Sequence, residues 1–168
     1  FEGLWRARFQ VDHFLSLGLF LREKKMGHLS LFEAAHMGWP QFRALLAKHG
    51  IEEAELRPYS LIANNPWEVG RRISKAFELE FSGPALLVPG NKHYSWQKVT
   101  NLMGFGENSF RSIPLDGDGR LDVEQLRSLI LDCRKRGQPA LAVVSVAGTT
   151  ELGEVDPVDQ VQDLLDEF

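Results

Sequence analysis

A single cysteine, Cys133, in 168 residues excludes an internal disulfide framework and any metal site built from several thiolates. Such a chain suits a reducing compartment, and free cysteines of this kind are ordinarily inert core thiols. An excess of basic charge is missing too. Against 23 Asp and Glu stand 19 Lys and Arg, giving a net charge of -4, so no positive field holds a phosphate backbone and no nucleic-acid partner is expected. No apolar run is long enough to span a membrane, because the best candidate, Phe14 to Leu21, stops at Arg22, Glu23, Lys24 and Lys25. No two of the five histidines stand four residues apart, the helix spacing that gathers a metal, so no metal site is expected. An initiator methionine and a signal-peptide layout are also lacking, and the expectation is a piece cut from a longer chain.

The remaining composition, 43% hydrophobic and 25% charged, is that of a globular domain. Leu4, Ala7, Val11, Phe14, Leu15 and Leu19 recur at intervals of three and four, which predicts a helix over 3–21 with one buried face. Ser30 is a candidate N-cap for a stretch running through Leu31, Phe32, Ala35, Phe42, Leu45 and Leu46, with Pro40 breaking or kinking it and Gly50 as the stop. Asn65 and Pro66, a cap residue followed by proline at the first helical position, predict a helix through Trp67, Val69, Ile73, Ala76 and Phe77.

From Gly83 the texture changes. Ala85 to Val88 reads as a strand buried on both faces, followed by a helix over about 93–103 and a weaker strand at 110–115. The turn Asp116-Gly-Asp-Gly119 precedes a helix through Val123, Leu126, Leu129, Ile130 and Cys133, and Ala140 to Ala147 reads as the clearest strand, with a last helix through Val158, Val161, Leu164 and Leu165. The order β-α-β-α-β-α predicts an α/β fold with a mainly parallel sheet flanked by helices, after a helical N-terminal half at 1–82.

Two motifs are set aside. The Asp116 turn lacks a calcium loop's ligands, since its fifth, sixth and twelfth positions are Arg120, Leu121 and Arg127; it reads as a surface connection with Asp122 capping the next helix. Gly104-Phe-Gly106 follows a helix and has Ser109 where a third glycine belongs, so it reads as a helix C-cap. Two other segments point to chemistry. His93 comes directly off a buried strand, where α/β proteins place ligands, and the loop from Ala147 to Asp156, with Thr149 and Thr150, leaves the next clear strand at the same edge. From pattern alone the bland reading stands beside this one: the threonines bond their own loop and Asp156 caps the final helix ahead of Pro157.

Taken together, His93-Tyr-Ser-Trp-Gln-Lys98, Met103-Gly-Phe-Gly106 and Ala147-Gly-Thr-Thr-Glu-Leu-Gly-Glu-Val-Asp156-Pro157 closely resemble the group II pyridoxal-phosphate-dependent amino-acid decarboxylases, which include glutamate and aromatic amino-acid decarboxylases. Phe1-Glu-Gly-Leu-Trp-Arg-Ala-Arg8 is similar to the helix after that family's phosphate loop. The resemblance implies that 1–168 is part of a fold type I large domain, with 83–168 as its cofactor-site segment. It implies pyridoxal 5′-phosphate as cofactor, an amino acid as substrate, a cytoplasmic homodimer, and a role in amino-acid and carboxylic-acid metabolism. It implies that His93 stacks on the cofactor ring as the residue serving catalysis, that Thr150 lies close to the cofactor, and that Asp156 belongs to the polar shell around it. Ser95 is at most a polar neighbour.

The same resemblance implies parts that this chain does not contain: a ring-nitrogen aspartate in an Asp-Ala-Ala segment expected beyond Phe168, and an imine-forming lysine further on. Lys98, within the histidine motif, reads as a solvated helix residue. The 168 residues alone are therefore expected to be inactive. Two alternatives stay open at this point, another fold type I enzyme such as an aminotransferase or desulfurase, and a non-catalytic relic or interaction domain; the identity of the substrate amino acid is not legible.

Overall fold

The computed structural model describes residues 2–150 and 153–168. Within them the chain forms two compact units, one of residues 1–83 with 137–139 and one of 84–136 with 140–168.

The first unit is helical. Its central element is α1 (Glu2–Glu23), and around it are α2 (Leu31–Ala35), α3 (Gly38–His49), a 3-10 helix (Glu53–Tyr59) and α4 (Pro66–Phe77). The expected single buried face of α1 is corrected: from Val11 to Leu21 every residue except His13 is buried, because this stretch is surrounded by the other helices. Gly18 allows the closest approach, since a Cβ there would lie 2.5 Å from Cβ of Ala34 on α2. Ser30 caps α2 in a reciprocal capping box with Glu33. The break expected at Pro40 falls earlier, at His36 and Met37, and Gly38 turns the chain at φ 70°. Pro40 then sits in the first turn of α3, where its missing N–H has no intrahelical acceptor to lose. Gly50 ends α3 in the left-handed conformation, and the side chain of Asn65 accepts the Trp67 amide at the head of α4, both as the sequence predicts.

Glu33 and His36 stand three residues apart, a spacing that can hold a metal on a helix. Here both are spent locally, Glu33 on the Ser30 cap and His36 Nδ1 on the Phe32 carbonyl oxygen at 2.7 Å.

The second unit is α/β, in the order β1 (Ala85–Pro89), α5 (Ser95–Leu102), β2 (Phe110–Ile113), α6 (Val123–Arg136), β3 (Ala140–Val143) and α7 (Val158–Leu165). The three strands pair in parallel in the order β2-β1-β3. All five residues of β1 are buried, which is why this strand reads as an unbroken apolar run. The strand expected over 140–147 is shorter. Past Val143 one more bond, from the Val144 amide to the Leu87 carbonyl, continues the pairing, and the Val146 amide then donates to the Asp156 side chain instead. Helix α5 begins at Ser95, leaving His93 and Tyr94 in the connection before it. Gly104, at φ 72°, follows α5 as a C-terminal cap, and Asp122 Oδ1 accepts the Gln125 amide at the head of α6. Cys133 is buried on α6, and burial pushes its thiol above the ordinary cysteine value, so it is a poor nucleophile.

Candidate functional site

Because the three strands are parallel, the connections that leave β1, β2 and β3 all emerge at one edge of the sheet. The order β2-β1-β3 adds a second constraint: the chain passes from β1 to one side and then crosses to the other, so the strand order reverses beside β1 and the connections after β1 and β3 flank that topological switch point. That is where open α/β sheets bind ligands. The connection after β1 carries His93; the connection after β3 carries Thr150 and Asp156.

His93 is exposed, and its ring is held locally. Its Nδ1 accepts the Ser95 amide at 3.2 Å, which leaves the proton of the neutral ring on Nε2. Tyr94 packs beside it with ring centroids 4.2 Å apart and planes 35° from parallel. Lys98 is exposed on α5 with Nζ 4.6 Å from the Tyr94 ring centroid, a solvated cation on an aromatic face.

The connection after β3 closes on itself as a narrow hairpin. Ala147 bridges Val155, the Gly148 and Thr149 amides donate to the Glu154 carbonyl, and Thr149 Oγ1 accepts the Glu154 amide at 3.0 Å. Thr149 is thus a loop residue, whereas Thr150 is exposed. Glu151 and Leu152 of the same motif lie outside the described residues.

Asp156 does not cap α7, whose N-terminus has no side-chain cap. It is 3% exposed, and its two oxygens accept the backbone amides of Leu121 at 2.7 Å and Val146 at 2.6 Å. Among the described residues no hydrogen bond links His93, Thr150 and Asp156 to one another.

Sequence reasoning passed over Asn91, two residues beyond β1. Its Nδ2 donates to the Gly119 carbonyl at 2.9 Å, and its Oδ1 is buried with no hydrogen-bond partner among the described residues. The only signal in the sequence was its place at the end of a buried strand. An exposed imidazole held by its neighbours, an exposed threonine and a buried acceptor with no partner among the described residues thus lie on connections that leave the same edge of the sheet, where open α/β sheets bind ligands.

The profile of the pyridoxal-dependent decarboxylase conserved domain matches residues 78–168, more than half of the chain and all of β1 through α7. The chain belongs to this family. Pyridoxal phosphate is the family's cofactor, and the connection after β1 carries an aromatic ring, His93, and a buried acceptor, Asn91 Oδ1, with no hydrogen-bond partner among the described residues. Among curated relatives, the L-tyrosine decarboxylase of Levilactobacillus brevis is 31% identical over 163 residues, covering 95% of this chain and 23% of the relative. That of Enterococcus faecalis is 30% identical over 170 residues, covering 99% and 25%. The chain therefore spans about a quarter of the length of the decarboxylases it matches. Among solved structures, Oryza sativa TDC with PLP is 20% identical, covering 94% of this chain and 24% of that one, with a TM-score of 0.49.

Proposed function

We propose that this chain is the middle of the large domain of a fold type I amino-acid decarboxylase, and that it supports one face of the cofactor. The relatives' names cover tyrosine, 2,4-diaminobutyrate and aspartate, so the substrate is proposed as an amino acid and no narrower. The full-length protein is read as a cytoplasmic homodimer of amino-acid metabolism, on the family resemblance together with the acidic, cysteine-poor composition.

The chemistry that pyridoxal phosphate supplies when bound is an electron sink for the pair left at Cα as carbon dioxide departs. This chain's share is placement. His93 offers a flat ring to stack against the cofactor, its tilt set by the Ser95 amide and by Tyr94. Thr150 brings a hydroxyl to the same edge, and Asp156 stands behind it in the polar shell. The observation that carries the reading is the position of His93, directly off the central strand and at the switch point.

The test is His93→Ala in the full-length protein. Cofactor binding should weaken but survive, while turnover per cofactor-bound molecule falls about 10²-fold, the scale of a misplaced reacting group. Were the histidine only a local cap, melting temperature would fall with its lost hydrogen bond and turnover per folded molecule would hold. An unchanged turnover with an unchanged cofactor absorbance spectrum overturns the stacking role.

A further inference from the structure

Asp156 is a carboxylate in an unusual position for a family site residue. It is nearly solvent-free, and among the described residues its carboxylate bonds two backbone amides, one on its own hairpin base and one on a loop 35 residues away. A buried carboxylate loses its hydration and persists only where donors replace the lost water. Short bonds from N–H groups to an ionised oxygen are the strong kind. Both oxygens are therefore committed to the protein's own backbone.

The loop that donates the second amide is the turn after β2. It is stiff: Asp116 Oδ1 accepts the amides of Asp118 and Arg120, the Arg120 guanidinium bonds back to Asp116 and Asp118, and Leu115 bridges Leu121. It also reaches both neighbours. Gly119 accepts the Asn91 side chain from the connection after β1, and a Cβ on Gly119 would lie 3.9 Å from Cγ of Glu154 on the hairpin after β3. In the order β2-β1-β3 an edge-strand turn that ties to the far connection must cross the carboxyl end of β1. The turn holding no cofactor candidate is thus the strap between the two connections that do.

We infer that Asp156 is a positioning residue, whose carboxylate locks the Asp116–Leu121 strap to the base of the 147–155 hairpin and so sets where Thr150 stands relative to the His93 connection. Asn91 is the strap's second tie. The inference rests on the functional reading above for its consequence and on hydrogen bonding alone for its mechanism, and the experiment separates the two.

The full-length protein is stripped of cofactor and the hydrogen exchange of peptides containing Leu121 and Val146 is followed. Asp156→Asn keeps the shape but presents one amide with a donor in place of an acceptor. Exchange in at least one of the two peptides should quicken about tenfold or more, the scale of a lost charge-assisted bond, with the β1 peptide unaffected. Pyridoxal phosphate titrated by absorbance should then bind about tenfold more weakly with an unshifted spectrum, since Asp156 does not touch it. A faster exchange and a weaker affinity with the same spectrum support the lock. Unchanged exchange overturns it; faster exchange with unchanged affinity overturns the positioning role; a shifted spectrum makes Asp156 a direct contact and overturns it as well. A parent protein that binds no pyridoxal phosphate overturns the functional reading and the positioning role while the exchange result still judges the tie. If Asp156→Asn does not fold, Asn91→Ala reads the same strap from its other end: faster exchange over 116–121 with weaker affinity and an unshifted spectrum supports the inference, and unchanged exchange, unchanged affinity or a shifted spectrum overturns it.

Discussion

The helical unit and the α/β unit of this chain satisfy their backbones in different ways. In the helical unit the N–H groups within each helix find their acceptors a few residues away, so the helices are complete in themselves, and side-chain packing around α1, with the Asp12 bonds to Ser60 and Leu61, holds them together. In the α/β unit the backbone of each strand depends on another strand distant in sequence, and β2 and β3 each pair on one side only within the described sheet. The difference teaches where function can sit. Parallel pairing sends the connections after all three strands to one edge and brings residues from 91 to 156 there.

The strongest way to break this comparison is to study the 168-residue polypeptide alone. Open strand edges and uncovered apolar faces template association, so it should aggregate or unfold without a cooperative transition, with the α/β half responsible. Light scattering during a thermal melt checks this; a sharp, reversible, monomeric transition would contradict it.

Core truncation in the full-length protein sharpens the contrast. Leu17 on α1 and Leu87 on β1 are both fully buried, and changing either to alanine should cost about 2–5 kcal/mol. The consequences diverge. Leu87→Ala disturbs the strand that delivers His93 and should also weaken cofactor binding, whereas Leu17→Ala should lower melting temperature and leave the affinity of the folded protein unchanged.

The smallest effect is in acid. Burial pushes the Asp12 carboxyl above the ordinary aspartate value, against the bonds it accepts from Ser60 and Leu61. The folded helical unit therefore holds that proton more tightly than the unfolded chain does. Its contribution is full below the ordinary value and is lost as pH rises through the raised one. The α/β unit has the opposite sign. The Arg120 amide holds Asp116 below the ordinary value, and the Arg127 guanidinium does the same for Glu167. Their contributions are present above the ordinary carboxylate values and are lost as pH falls through the lowered ones. Hydrogen exchange on lowering pH through the carboxylate range should show 116–120 and the α6–α7 contact loosening ahead of α1; the reverse order would refute the assignment.

What the sequence by itself determined are the features set within about four residues. The Ser30–Glu33 box, the Asn65–Pro66 start, the Gly50 stop and the unbroken run of β1 were all legible, because caps and burial patterns answer to near neighbours. His93 was legible as a residue at a strand's end, and the family was legible from the motifs around it. Tertiary structure alone decided the rest. Which side of β1 each strand takes depends on crossovers through α5 and α6, so the switch point could not be located from a list of strands. The burial of α1 from Val11 to Leu21 on nearly every side needed the four helices that pack on it. Asp156 had two choices, a helix N-terminus one residue away or two amides on other loops, and sequence spacing favoured the nearer. The fold brings the Leu121 amide within 2.7 Å in a site almost closed to water, where a bond to a charged oxygen is worth more than a cap at the surface, and so the carboxylate holds the loops instead.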